Sequence, residues 1–168
     1  EGGDAEATQM PKLPELMGSD AERKELEEML SDIKRTRGLE PRQRDVLANI
    51  LLTYCARSAD RSEGRKAYVQ GMHMLVACPL WAGLSEEEAV AVFEFALEQL
   101  CQGYYADSAF GTFRRDVRVI EVLIKERLPG LWRALRAEGV PTMLIAFDPL
   151  LCLFTRHVPK AVALRLWD

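Results

Sequence analysis

Apolar residues recur at every third or fourth position along most of this chain, the spacing that places them on one face of an α-helix. No stretch shows the sustained alternation of apolar and polar residues that a half-buried strand requires. The pattern therefore predicts an all-α fold of irregular helices without an internal repeat. The predicted helices cover roughly residues 20–37, 41–57, 70–81, 86–100, 110–128, 131–138, 150–156 and 160–167.

Capping and helix-breaking residues set the predicted helix ends. Gly38 is a C-terminal stop for the first helix, and Pro41 opens the second where its missing N–H costs nothing. Ser85 and Glu88 have the spacing of a capping box at the start of the fourth helix. Three further prolines mark where the third helix ends or bends, where the fifth closes and where a short helix opens: Pro79, Pro129 and Pro149.

The third predicted helix is apolar nearly all round, so we expect it to be central and enclosed by the others. The fourth helix is predicted to bury one apolar face, and the fifth is apolar on one side and carries most of its charged residues on the other. The residues concerned are Val90, Phe93, Leu97 and Leu100 in the fourth helix, and Phe110, Phe113, Val117, Ile120, Leu123, Ile124 and Leu128 in the fifth.

The composition is that of a soluble globular chain with enough apolar residues for a core. Of the 168 residues, 48% are hydrophobic and 29% are charged, and the net charge is -4. No Lys/Arg cluster is dense enough to contact a phosphate backbone, so nucleic acid is not expected as a partner. The longest apolar stretch, 74–84, is shorter than the ~18 residues that suggest a membrane-spanning helix.

Four widely spaced cysteines lie in apolar surroundings and form no C-x-x-C pair, which indicates buried thiols in a reducing compartment. The acidic start lacks the order of a signal peptide. We therefore expect a cytoplasmic protein with no transmembrane segment, which meets membranes only indirectly, through partners. The cysteines are Cys55, Cys78, Cys101 and Cys152.

One domain is predicted over residues 20–168. Residues 1–19 contain glycine, proline and scattered polar residues, which is typical of a linker or a disordered N-terminus. The last predicted helix is apolar and would need cover from further helices. The domain is therefore expected to be partial at its C-terminus.

Asp32 and Arg35 are the first candidates for chemistry, because residues three apart are neighbours on one helix face. The carboxylate can hold the guanidinium in a fixed direction, and an oriented arginine at a helix end suits a negatively charged ligand. The same spacing also occurs in ordinary surface ion pairs, which contribute little to stability.

Gln70 is the second candidate, because it places a neutral amide at a junction between a polar loop and an apolar helix. Gly71 follows it and allows another backbone to come close. Taken alone, this arrangement does not choose between capping, packing and chemistry.

The M-L-S-D-I-K-R-T segment at 29–36 and the Y-V-Q-G segment at 68–71 resemble the two signatures of the TBC domain, the catalytic module of Rab GTPase-activating proteins. The resemblance covers about residues 26–168, and several motifs in the family's order are a stronger indication than any one of them. The downstream matches are Tyr104-Tyr105, 115–119, Leu128-Pro129, 153–156 with Pro159, and 164–168.

By this resemblance the domain stimulates GTP hydrolysis by a Rab-family small GTPase in its GTP form, and so regulates vesicle trafficking at Rab-bearing intracellular membranes. Arg35 would be an arginine finger donated in trans, and Gln70 would orient the attacking water in place of the GTPase's own glutamine. GTP, GDP and Mg²⁺ would belong to the partner, so neither a cofactor nor a substrate of its own is expected.

Supporting roles follow from the same resemblance. Asp32 would position Arg35, and Gly71 would permit close approach of the partner's switch region. Tyr68 would fix the loop that carries Gln70, although it reads equally well as a core aromatic and both roles can coexist. The expected supporting residues are Asp32, Thr36, Tyr68 and Gly71.

Two segments depart from the family pattern and leave an alternative open. Thr36 is followed by 37–39, Arg-Gly-Leu, where the family usually has an aromatic residue and then proline. Pro149 stands where an S-x-W-F-like segment is common. The alternative function is a catalytically inactive TBC-like scaffold that binds a GTPase or another trafficking protein.

The two histidines are expected to be packing residues rather than ligands, because no cysteine or carboxylate stands at metal spacing from either. No metal site is therefore predicted. A Cys–His hydrolase that pairs Cys55 or Cys78 with His73 is a further alternative, for which no orienting or oxyanion element is visible.

Overall fold

Helices form nearly all of the regular structure in the computed structural model of this chain, which describes residues 20–59, 67–105 and 110–168. These residues contain no strand, so the predicted all-α fold is confirmed. The predicted linker over 1–19 lies outside the described residues. The helices are α1 (Asp20–Arg35), α2 (Pro41–Ala59), α3 (Met72–Ala82), α4 (Glu86–Phe95) with a π-helical turn (Ala96–Leu100), α5 (Gly111–Arg127), α6 (Pro129–Ala137), α7 (Thr142–Leu151) and α8 (Lys160–Trp167).

Helix α3 is the centre of the fold, as its apolar pattern predicts. Every residue from 71 to 80 is buried, and α3 packs against α1, α2, α4 and α8. Burying one Leu or Met side chain stabilises the folded state by about 1.5–3 kcal/mol, so this enclosed helix is a main source of stability. Its N-terminus is where the loop carrying Gln70 enters the core.

Pro79 and Pro149 both lie inside helices, although Pro149 was predicted to open one. Helix α3 runs past Pro79 and ends before Gly83, whose φ of 86° is the left-handed conformation of a C-cap. Helix α7 includes Pro149, so the predicted helix over 150–156 is wrong. Past Leu151 the backbone is not α-helical, since Leu153 and Phe154 have positive φ angles of 43° and 64°, outside the right-handed helical region.

The buried face of α4 does not extend to its predicted end. The capping box is present, since the Ser85 side chain accepts from the Glu88 N–H and the Glu88 carboxylate accepts from the Ser85 N–H. Beyond Phe95, however, the chain continues as a π-helical turn, whose wider spacing shifts the later residues around the axis. Ala96 is therefore buried and Leu100 is 52% exposed, contrary to the prediction.

The first half of α5 contacts the core, whereas the second half does not. Phe113 and Val117 are buried and Ile120 packs against the core, but Leu123 and Leu128 are about half exposed. The later turns of α5 extend past the central cluster, and the helix as a whole packs against α6 and α7. The apolar side of α5 is therefore only partly covered within the described part of the chain.

Candidate functional site

Arg35 lies at the surface in the last turn of α1, where Asp32 and Ser31 of the same helix bind its guanidinium group. Its Nη2 lies 3.0 Å from Asp32 Oδ1, and its Nε donates to the Ser31 carbonyl at 3.2 Å. The Arg35 side chain is 70% exposed, whereas that of Asp32 is only 8% exposed. A pair with one buried carboxylate differs from an ordinary surface ion pair, because the carboxylate has few other directions in which to turn.

Tyr68 connects this arginine to the second candidate segment. It is buried, and its hydroxyl lies 2.8 Å from Asp32 Oδ2. Its backbone N–H donates to the Glu25 carboxylate of α1. Tyr68 is thus a core aromatic and a hydrogen-bond partner at once, and it attaches the loop before α3 to α1 at two points.

Gln70 follows two residues after Tyr68 and is exposed. Arg35 and Gln70 are both exposed and are linked through the protein. Hydrogen bonds join Arg35 to Asp32 and Asp32 to Tyr68, and the backbone leads from Tyr68 to Gln70 two residues later. This amide offers both an acceptor oxygen and a donor NH2 group to a ligand.

Gly71 ends the loop before α3 and lies close to Leu151 and Cys152 at the end of α7. Its φ is 111°, and a Cβ placed there would lie 3.3 Å from Cys152 Sγ and 3.6 Å from Leu151 Cβ. Gly71 is buried, so the close approach that it permits here is to the end of α7 rather than to a partner's switch region.

Replacing Gly71 with alanine is expected to destabilise the fold by about 1–3 kcal/mol, because it combines a strained φ with a tight contact. Gly83→Ala is the matched control, since Gly83 has φ 86° but nothing within 4 Å of the added Cβ. The free energy of unfolding in urea measures both variants. Equal losses for the two would contradict the contact with Cys152 as a cause.

The segment after Arg35 is anchored by a tryptophan from α3. Thr36 is buried and its hydroxyl donates to the Asp32 carbonyl at 2.9 Å. Trp81 Nε1 donates to the Arg37 carbonyl at 3.2 Å, and the same nitrogen would lie 3.4 Å from a Cβ on Gly38. Trp81 therefore supplies an aromatic contact to the segment whose sequence lacks the aromatic and proline of the family pattern.

His73 belongs to the site, although the sequence predicted only a packing role for it. It is buried in the first turn of α3, with Nδ1 2.8 Å from the Tyr68 hydroxyl oxygen and 3.7 Å from Asp32 Oδ2. Burial lowers the pKa of His73 to about 4. Burial, together with Asp32, raises the pKa of Tyr68 well above its ordinary value. The one available signal was a polar side chain in an otherwise apolar helix.

The lowered pKa of His73 predicts a loss of stability in acid. A histidine that is neutral when folded but has a pKa of about 6.5 when unfolded stabilises the fold above pH 6.5, and this contribution declines as the pH falls toward 4. Burial is the largest cause of the lowered pKa of His73. Among the neighbouring charges, Asp32 and Asp148 raise this pKa, whereas Arg35 and Arg156 lower it.

Between pH 6.5 and pH 4, we expect the unfolding free energy of the wild type to fall by up to about 3 kcal/mol more than that of His73→Asn. The asparagine side chain cannot titrate. Urea unfolding at a series of pH values makes the comparison. Parallel pH profiles for the two proteins would contradict a neutral buried His73.

The cysteines are free thiols held in their protonated form. Burial raises the pKa of Cys55, Cys101 and Cys152 to about 12 and that of Cys78 to about 11. A thiol with so high a pKa is a poor nucleophile at neutral pH, which argues against the Cys–His hydrolase alternative.

The second histidine lies on the turns after α7. His157 is exposed and its Nε2 lies 3.8 Å from Asp148 Oδ2. Within the described part of the chain, no three His, Cys, Asp or Glu residues are grouped as metal ligands would be. Nor does any described helix combine the length and apolar character needed to cross a membrane.

The family model of the Rab-GTPase-TBC domain matches residues 7–168. This chain belongs to that family. The chain is 25% identical to growth hormone-regulated TBC protein 1-A of Danio rerio over 158 residues. These residues make up 94% of this chain and 42% of the relative. It is 26% identical over 150 residues to growth hormone-regulated TBC protein 1 of Homo sapiens, covering 89% and 43%.

A third relative, Carabin of Mus musculus, is 34% identical over 97 residues, which cover 55% of this TBC domain and 21% of that protein. The chain thus spans less than half the length of these curated relatives. No solved structure matches it significantly.

Proposed function

We propose that this TBC domain stimulates GTP hydrolysis by a Rab-family GTPase in its GTP form, with Arg35 and Gln70 as the groups donated in trans. The observation that supports this most directly is the buried hydrogen bond between Asp32 and Tyr68, which joins the arginine motif to the glutamine motif. The nucleotide and Mg²⁺ belong to the partner, so the domain activates an enzyme without converting a substrate of its own.

The chemistry of GTP hydrolysis accounts for the two residue types. Negative charge builds on the phosphate oxygens in the transition state, and the planar fork of a guanidinium can contact two of them. The attacking water must be held in line, and an amide can accept from the water while it donates to a phosphate oxygen. Arg35 suits the first task and Gln70 suits the second.

Four residues support these two groups in the proposal. Asp32 directs Arg35, and Tyr68 holds the Gln70 loop against α1. Thr36 closes the end of α1 by its bond to the Asp32 carbonyl. Gly71 allows the loop to turn closely over the end of α7.

Single-turnover hydrolysis by a panel of GTP-loaded Rab proteins tests the proposal. We expect acceleration of at least one Rab, and none of a GTPase from another family such as Ras. Failure to accelerate any Rab would overturn the catalytic function. Binding of a GTP-loaded Rab without acceleration would instead support the scaffold.

In a cell, this activity would place the protein in the cytoplasm, recruited to membranes that carry the Rab partner. There it would end the active state of that Rab and so regulate vesicle trafficking.

A further inference from the structure

We infer that His73 is a positioning residue for Arg35. In this inference the imidazole donates a hydrogen bond from Nδ1 to the Tyr68 hydroxyl, which donates to Asp32, which holds the guanidinium. The inference rests on the proposed function for its consequence in catalysis, but its hydrogen-bond geometry can be tested without a GTPase.

The direction of each bond follows from counting protons. The Tyr68 hydroxyl has one proton and two close neighbours, Asp32 Oδ2 and His73 Nδ1, each at 2.8 Å. A carboxylate can only accept, so the tyrosine proton goes to Asp32. The tyrosine oxygen can then accept from His73 only if Nδ1 carries the proton of the neutral imidazole.

The alternative tautomer would leave a buried acceptor without a donor. With the proton on Nε2, both Nδ1 and Asp32 Oδ2 would compete for the single tyrosine proton. The side chains of His73 and Asp32 are only 7% and 8% exposed, so water cannot easily supply the missing bond. Direct donation from His73 to Asp32 is also disfavoured, because 3.7 Å exceeds an ordinary hydrogen-bond length.

Removing the Nδ1 donor would act on Arg35 at a distance. The tyrosine hydroxyl would lose the bond that fixes its rotation, and Asp32 would be held less firmly in the orientation that binds the Arg35 Nη2 at 3.0 Å. Because the guanidinium must meet the phosphate oxygens in the transition state, this loosening should lower the rate of hydrolysis more than the affinity for the GTPase.

Two amide variants that differ in length by one methylene separate this role from simple packing. Asparagine carries an N–H donor on an atom bonded to Cγ, as His73 Nδ1 is, whereas the donor of glutamine lies one bond further out. With a Rab that the wild type accelerates, His73→Gln should lower the single-turnover rate at saturation by about tenfold or more, and His73→Asn by about threefold or less. Apparent affinities for the GTP-loaded Rab should stay within about twofold of the wild type.

Nitrogen-15 NMR of the histidine ring in the free protein near pH 7 tests the geometry independently. A protonated Nδ1 and an unprotonated Nε2 on His73 are expected. The opposite tautomer would overturn the inference, as would equal rates for the asparagine and glutamine variants. If the wild type accelerates no Rab, the proposed function fails, while the tautomer still decides whether His73 donates to Tyr68.

Discussion

Arg35→Ala is expected to lower the rate of Rab GTP hydrolysis by about 10³ to 10⁵-fold, which is the contribution of an arginine finger supplied in trans. The GTP-loaded Rab should still bind, because the guanidinium acts mainly on charge that develops in the transition state. Single-turnover rates at saturating TBC domain, with binding measured separately, give the two quantities. Arg35→Lys should recover little of the rate, since a point charge cannot span two oxygens as a planar fork does.

Arg37→Ala is the matched control for this prediction. Arg37 is also exposed, two residues away, and its known anchor to Trp81 is through the backbone carbonyl, which the substitution retains. Its loss should therefore change the rate little. A comparable effect of both variants would indicate that general positive charge, rather than an oriented finger, accelerates hydrolysis.

Gln70→Ala is expected to lower the same rate by about 10² to 10³-fold, as removal of one preorganised polar group from a catalytic site commonly does. The stability of the domain should change little, because Gln70 is exposed. Rates and urea unfolding of the same variant check both statements.

A substitution in the partner gives the sharper test of Gln70. A Rab that carries alanine in place of its own catalytic glutamine should still be accelerated by the wild-type TBC domain. It should respond to the Gln70→Ala variant far more weakly. Failure of the wild type on this altered Rab would show that the GTPase uses its own glutamine, and Gln70 would lose its proposed task.

The helix ends that follow from local chemistry were predictable. Pro41 opens α2 and the Ser85 capping box opens α4, because a proline ring or a side-chain cap acts on the adjacent backbone alone. Pro149 was wrongly predicted to open a helix, because the same ring is tolerated inside a helix when packing stabilises the surrounding turns. Whether it breaks a helix depends on contacts that neighbouring residues do not reveal.

The extent to which a helix is buried was predictable only for α3, which other helices enclose on every side. Helix α3 is apolar all round and is enclosed as expected, since no face could be left in water without cost. Leu100 was assigned to the buried face by spacing alone, and its exposure depends on a π-helical turn. The apolar side of α5 is only partly covered, because the helix leaves the central cluster beyond Ile120.

For the candidate site, the sequence by itself determined the pair of Asp32 and Arg35, because helical geometry makes residues three apart neighbours. It also determined Gln70 as a polar residue at the entrance to an apolar helix. Only the tertiary structure decided that Tyr68 reaches Asp32, that His73 reaches Tyr68 and that Trp81 supports the segment after Thr36. The physical reason is that these contacts join different elements, whose relative placement depends on packing around α3 rather than on the spacing of any motif.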